Sequence, residues 1–211
     1  MTSGTLSTSS TAPLLHKVAE VVAAICSPAI LGTVLLLAAG VTEDGHQGLW
    51  WAVVTAAVVL GLPMAVLIYL SRRGVVETRY VRRREHRLPV YTSVAVLMGT
   101  ALLVHVLLAD ALRIPRSITV TTVLLLSGVI TLAVVTLIWK VSAHSAMAAA
   151  FAVTLPVVID GSLVLVSWVI PVIVTWARQR TRDHTYWQCV VGIWIGILLG
   201  GLYTLAWHHW L

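Results

Sequence analysis

The chain has 211 residues, 59% of them hydrophobic and 10% charged, with 14 Lys and Arg against 8 Asp and Glu for a formal charge of +6. A soluble domain carries roughly 25% charged residues, so a water-soluble fold is excluded, and the apolar runs do not alternate with polar residues as strands of a membrane barrel do. The basic residues are not interleaved with aromatic ones, which argues against a nucleic-acid groove and leaves anionic lipid as the partner class.

Residues 1–12 form a Ser/Thr-rich tail with nothing apolar to bury, expected to be disordered. Residues 13–211 are expected to form a single transmembrane domain. The first apolar run, about Leu14 to Ala39, is too long for a signal-peptide core and carries Lys17 inside it, so it reads as a retained membrane helix. Glu43 and Asp44 mark a short acidic turn, and a second helix is expected from about Trp50 to Leu70. A basic loop from Ser71 to Pro89 holds seven of the 14 Lys and Arg, so the charge is concentrated on one face. Helices from about Val90 to Leu108 and from Ile118 to Trp139 follow, with Pro115 at the turn between them.

From His144 to Trp176 the sequence is apolar again but broken at Asp160-Gly161, which predicts two short helices, the second kinked near Pro171. The final helix spans about Tyr186 to Trp210. Tryptophans near the helix ends suit the headgroup level, where an amphipathic ring prefers to sit. Cys26 and Cys189 both fall in predicted apolar helices and read as packing residues. The expected architecture is an all-α, polytopic bundle of six or seven transmembrane helices. The basic loop, the Lys140–Ser145 turn and the Trp176–His184 turn lie on one membrane face. The positive-inside rule would make that face cytoplasmic, and the composition is compatible with a bacterial plasma membrane.

Two segments concentrate chemistry on that face. One runs from Ala177 to Gln188 and spaces Arg178, His184 and Gln188 as an Arg, five residues, a His, three residues and a Gln; the other is Lys140-Val141-Ser142-Ala143-His144-Ser145. A phosphate ester carries negative charge that fixed donors must neutralise before phosphorus can be attacked. Arg84, Arg87, Arg178 and Lys140 supply such donors, with Ser142 and the amides at a helix start adding more. A neutral imidazole can attack phosphorus, and a protonated one can supply a proton to the leaving oxygen.

These segments resemble the third and second signature motifs of the type 2 phosphatidic acid phosphatase family, which also includes the vanadium haloperoxidases. In that family the motifs read Ser-Arg, five residues, His, three residues, Asp, and Pro-Ser-Gly-His. A loose match to its first motif ends at Arg87-Leu88-Pro89, with Tyr80 where the spacing places a Lys. The resemblance covers roughly Arg79 to Gly201. It implies a metal-independent lipid phosphatase without cofactor, acting on a prenyl phosphate, prenyl diphosphate or phosphatidic acid. It further implies His184 as a nucleophile that becomes a phosphohistidine, His144 as general acid, and Gln188 where the family has the Asp that orients the nucleophile. Arg178, Ser142, Lys140, Arg84 and Arg87 would bind phosphate. The departure at Gln188 removes a negative charge, while a residue four positions after His184 on a helix still shares its face. Two alternatives remain open: a phosphotransferase using the same residues, and a non-catalytic protein that binds anionic lipid headgroups. His105, a lone histidine in an apolar helix without an evident partner, is left outside the site, as are His208, His209 and Asp160.

Overall fold

The computed structural model describes residues 11–74 and 84–210, with side chains described for 13–74 and 88–210. The helices are α1 (Thr11–Ile25), α2 (Pro28–Ala56), α3 (Leu62–Arg72), α4 (Arg84–Leu112), α5 (Arg116–Ile138), α6 (Ala143–Val158), the single turn α7 (Val164–Ser167), α8 (Val169–Arg180) and α9 (Tyr186–Trp210); no strand occurs among the described residues. Five segments are long and apolar enough to cross a bilayer: Pro28–Arg72, Leu88–Leu112, Arg116–Ile138, Gly161–Arg180 and Tyr186–Trp210. Leu107, Ile138, Leu165, Leu198 and Leu205 all point outward and exposed, a surface that hydrocarbon solvates and water does not. The chain is an integral membrane helical bundle. Residues 1–10 of the expected tail lie outside the described residues, and Thr11 and Ala12 already belong to α1.

The amino-terminal expectations need correction. The run from Leu14 to Ala39 is not one helix: it breaks at Cys26 and Ser27, and Pro28 opens α2 at a position where its missing N–H costs nothing. Cys26 therefore sits in the break rather than inside a helix. The second helix begins well before Trp50, because the acidic turn is compressed into two residues, Asp44 (φ −143°, ψ 32°) and Gly45 (φ 47°, ψ −117°). The chain reverses there. Gly40 and Gly48 press backbone to backbone on the two arms, and a Cβ on Gly48 would collide with the Gly40 carbonyl.

Between α2 and α3 lies one π-helical turn, Ala57–Gly61. Pro63 follows immediately and has no N–H to return to the preceding turn, which fits the local widening of the helix. The basic loop is shorter than expected, since α3 continues to Arg72 and α4 starts at Arg84, with Pro89 inside it. The break at Asp160-Gly161 occurs as expected, with the Asp160 carboxylate accepting the Ser162 N–H at 2.7 Å. His105 does have a partner, Thr55 Oγ1 at 3.2 Å, both buried where α4 crosses α2. Fifty residues separate the pair, so sequence spacing does not reveal it.

The tightest packing is between α6 and α9. α6 offers a run of buried alanines (Ala146, Ala148, Ala149, Ala150, Ala152), and α9 answers with Gly192, Gly196 and Gly200 at every fourth position. A Cβ at Gly192 would stand 2.6 Å from the Ser142 carbonyl oxygen, one at Gly200 2.9 Å from Val153 Cβ, and one at Gly196 would strike the Ala146 carbonyl. In a bilayer, where lipid removes the hydrophobic drive between helices, close approach of small residues is what holds such a pair. This contact brings the start of α6 beside the start of α9.

Candidate active site

Three helix ends converge: the start of α6, the end of α8 and the start of α9. α8 closes with a Schellman turn, in which the Asp183 N–H reaches the Arg178 carbonyl and the Arg182 N–H the Gln179 carbonyl. The residue between must be left-handed, and Arg182 takes φ 56°. The His184 N–H also meets the Arg178 carbonyl at 3.3 Å, so the turn folds His184 back over the helix that carries Arg178.

α9 opens with a capping box. The Thr185 hydroxyl accepts the Gln188 N–H at 3.4 Å, and Gln188 Oε1 accepts the Thr185 N–H at 3.2 Å. The same Oε1 lies 3.2 Å from His184 Nδ1. A backbone N–H can only donate, so the amide atom facing Thr185 is the oxygen, and the imidazole nitrogen facing that oxygen carries the proton. His184 therefore carries a proton on Nδ1, and in the neutral ring the lone pair falls to Nε2. Gln188 thus orients the ring as expected at this position, and it also caps the helix. The sequence signal for the second task is Thr185-Tyr186-Trp187-Gln188, a Thr and a Gln three positions apart ahead of an apolar run.

Arg178 is buried, only 4% exposed, and pairs with Asp183 Oδ2 at 3.2 Å. Asp183 is held in turn by the Thr181 hydroxyl at 2.8 Å, and Lys140 Nζ donates to the Asp183 backbone carbonyl. His144, in the first turn of α6, is also buried; it lies within electrostatic reach of Arg178 and His184, and it hydrogen-bonds the backbone of Ala23 in α1. Ser142 is the N-cap of α6. Its Oγ accepts from the Ser145 N–H at 3.3 Å and the Ser145 hydroxyl at 3.0 Å, and its own N–H donates to the Gln188 carbonyl.

His144, Arg178 and His184 form the polar end of a cavity of about 280 Å³. Apart from Ser27 and the Tyr91 ring, the rest of its wall is apolar: Val59, Leu60, Pro63 and Leu67 around the π turn and α3, Val94 and Met98 on α4, Leu125 and Leu132 on α5, and Ile195 and Leu199 on α9. Of the expected site residues, these three face the cavity, with Gln188 directly behind His184. Lys140 and Ser142 lie behind the wall, where they tie the α5–α6 turn to the α8–α9 turn. The side chains of Arg84 and Arg87 lie outside the described residues. Sequence reasoning passed over Asp183, which pairs with the buried guanidinium, Ala23, which hydrogen-bonds His144, and Tyr91, which lines the cavity. Comparison with family models, curated proteins and solved structures returns no match.

Proposed function

We propose that this protein is a lipid phosphatase that removes a phosphate or diphosphate from a membrane lipid through a phosphohistidine on His184. The observation that carries the reading is the cavity's polarity: an apolar slot ends in two imidazoles and a buried guanidinium, the inverse image of an amphiphile with an anionic head. The lipid chain lies along the α3, α4 and α5 wall, and the phosphate meets Arg178.

In the first step His184 Nε2 attacks phosphorus, the bond from phosphorus to the lipid oxygen breaks, and His144, which takes up a second proton as the anionic phosphate is seated, gives that proton to the lipid oxygen. In the second, His144 takes a proton from water as the water oxygen attacks, the phosphorus–nitrogen bond breaks, and inorganic phosphate leaves. Arg178 offsets charge on the phosphoryl oxygens in both steps. Gln188 keeps Nδ1 protonated, as the first step requires, without adding negative charge. The buried Arg178–Asp183 pair suits the alternative of an anionic-lipid binding protein, since a site neutral at rest does not need turnover to exist.

The proposed topology has seven antiparallel passes, counting residues 28–43 and 46–72 as two arms of the glycine hairpin and residues 143–158 as a short pass. It sets Lys140, Arg178, His144 and His184 on one face of a bacterial plasma membrane, with Glu43, Arg113 and Arg116 on the other.

The test is phosphate release by detergent-purified protein from prenyl phosphates, prenyl diphosphates and phosphatidic acid, in EDTA, with His184→Ala alongside. Release in EDTA that falls by about a thousandfold or more in the variant is expected. Release that survives in His184→Ala would remove the phosphohistidine, and absence of release from every lipid by the wild type would favour the binding protein. Replacing water by an acceptor alcohol and analysing products separates hydrolysis from phosphotransfer.

A further inference from the structure

α1 meets the rest of the site through small residues and its own backbone. Ala19 and Ala23, one turn apart, are buried against Ala177 of α8, and the Ala23 carbonyl takes the hydrogen bond from His144. The helix has two other sides. Leu14, Val18, Val21 and Ile25, at spacings of four, three and four, form one apolar stripe and are 61%, 43%, 56% and 59% exposed. His16, Lys17 and Glu20 lie on the third side, with His16 Nε2 3.6 Å from Glu20 Oε1.

A helix of 15 residues rises about 22 Å, and α1 carries His16, Lys17 and Glu20 within that length, so, unlike the equally short but uncharged stretch of α6, it is not apolar enough to cross the hydrocarbon core. It cannot borrow length from α2 either, because the break at Cys26 and Ser27 separates them. α2 begins directly after that two-residue break, and Ser27 and Pro28 line the same cavity as His144 and Arg178, so α1 is attached at the polar end of the slot. An outward apolar stripe on a helix joined directly to a membrane-crossing segment, with charged residues on another side, suits the boundary between headgroups and acyl chains.

We propose that α1 is an interfacial strap: its Leu14–Ile25 stripe lies in the lipid at the face that holds the polar end of the cavity, while its alanine edge presses the Ala23 carbonyl onto His144 and so fixes that imidazole's tautomer. The ring nitrogen that donates to Ala23 is committed to the strap, which leaves the other as the one that can serve the site. Ala23 is a positioning residue that acts through its backbone. The membrane seat of α1 rests on the bundle alone, and the chemical use of the fixed tautomer rests on the proposed phosphatase.

The full chain carrying Cys26→Ser, in phosphatidylcholine nanodiscs, takes a spin label at Val18→Cys or at Glu20→Cys, two positions on nearly opposite sides of α1, Cys189 being buried. Oxygen should relax the Val18 label more than a water-soluble nickel chelate does, and the order should reverse at Glu20. Equal nickel access at both positions overturns the membrane seat. Nitrogen NMR of histidine-labelled protein, with the His144 signal identified by its loss in His144→Asn, should show a single tautomer in the wild type. Ala177→Leu, or Ala19→Leu from the other side of the same contact, should replace it with a tautomer mixture. A His144 signal unchanged in a folded wedge variant overturns the positioning role. Neither readout uses turnover, so a protein that releases no phosphate but passes both tests loses the phosphatase and keeps the strap.

Discussion

Two helix-to-helix turns, α4 to α5 and α8 to α9, are built alike and used differently. Each closes with an N–H reaching five residues back, Ile114 to Ala109 and Asp183 to Arg178, and each puts an arginine in the left-handed region, Arg113 at φ 52° and Arg182 at φ 56°. At the α4–α5 turn a carboxylate arrives from elsewhere in the chain: Glu43, at the tip of the α2 hairpin, accepts the Arg116 and Ser117 N–H groups at 3.1 and 2.6 Å, while Gln47 donates to the Arg113 carbonyl. The amides that begin α5, which could hold an anion, hold the protein's own. At the α8–α9 turn the carboxylate is local, and Asp183 is spent on the guanidinium of Arg178. The start of α9 is capped by neutral groups, and two imidazoles face a cavity. One turn is closed by its charge, and the other is held open by it.

Substitutions can break this contrast or sharpen it. The largest effect is expected at the scaffold of the open turn: Gly196→Leu would drive a side chain into the Ala146 carbonyl, separate α6 from α9 and cost about 3 kcal/mol or more. Thermal unfolding in detergent should show the loss, and a variant as stable as wild type would mean the glycine stripe is incidental. Asp183→Asn leaves the buried Arg178 without its ion-pair partner and should destabilise by about 3 kcal/mol. Chemical unfolding read by tryptophan fluorescence measures this, and a change below about 1 kcal/mol would reduce the pair to the value of a surface ion pair.

At the closed turn, Glu43→Ala should cost about 2 kcal/mol by uncovering two amides, while leaving any phosphate release per folded molecule unchanged. A fall in specific activity there would show that the two ends are coupled. The smallest effects should come from Arg113→Gly and Arg182→Gly. Both residues are exposed and left-handed, and relief of the backbone cost should stabilise each by up to about 1 kcal/mol. If only one variant gains, the turns are not equivalent after all.

Much of the carboxy-terminal half was legible in the sequence, because its signals are local. The break at Asp160-Gly161, the start of the last helix at Tyr186 and the spacing of Arg178, His184 and Gln188 are each written within a dozen residues. The amino-terminal half was read less well. Hydropathy runs unbroken through Cys26 and Ser27, and it outweighed the Ser-Pro pair that marks a helix start there. The reversal at Asp44-Gly45 was visible as a turn, but not its tightness, which depends on Gly40 meeting Gly48. Contacts made across the bundle leave no trace in local spacing: Glu43 on α5, Thr55 on His105, Ala23 on His144. Lys140 and Ser142 were expected at the phosphate because of their residue types; the Lys140 ammonium and the Ser142 backbone N–H tie neighbouring turns together, and the Ser142 hydroxyl caps α6.

The glycine stripe of α9 also bears on when the site comes into existence. Arg178 and His144 leave the ribosome earlier than Gln188, yet the α6 cap is tied to the Gln188 carbonyl, and the His184 ring is held by its side chain. Until α9 inserts and zips against the alanines of α6, the imidazoles have no common wall and the slot lacks Ile195 and Leu199. A nascent chain stalled before Gly192 is therefore expected to lack the assembled site, and the site matures in one late step as its last helix docks.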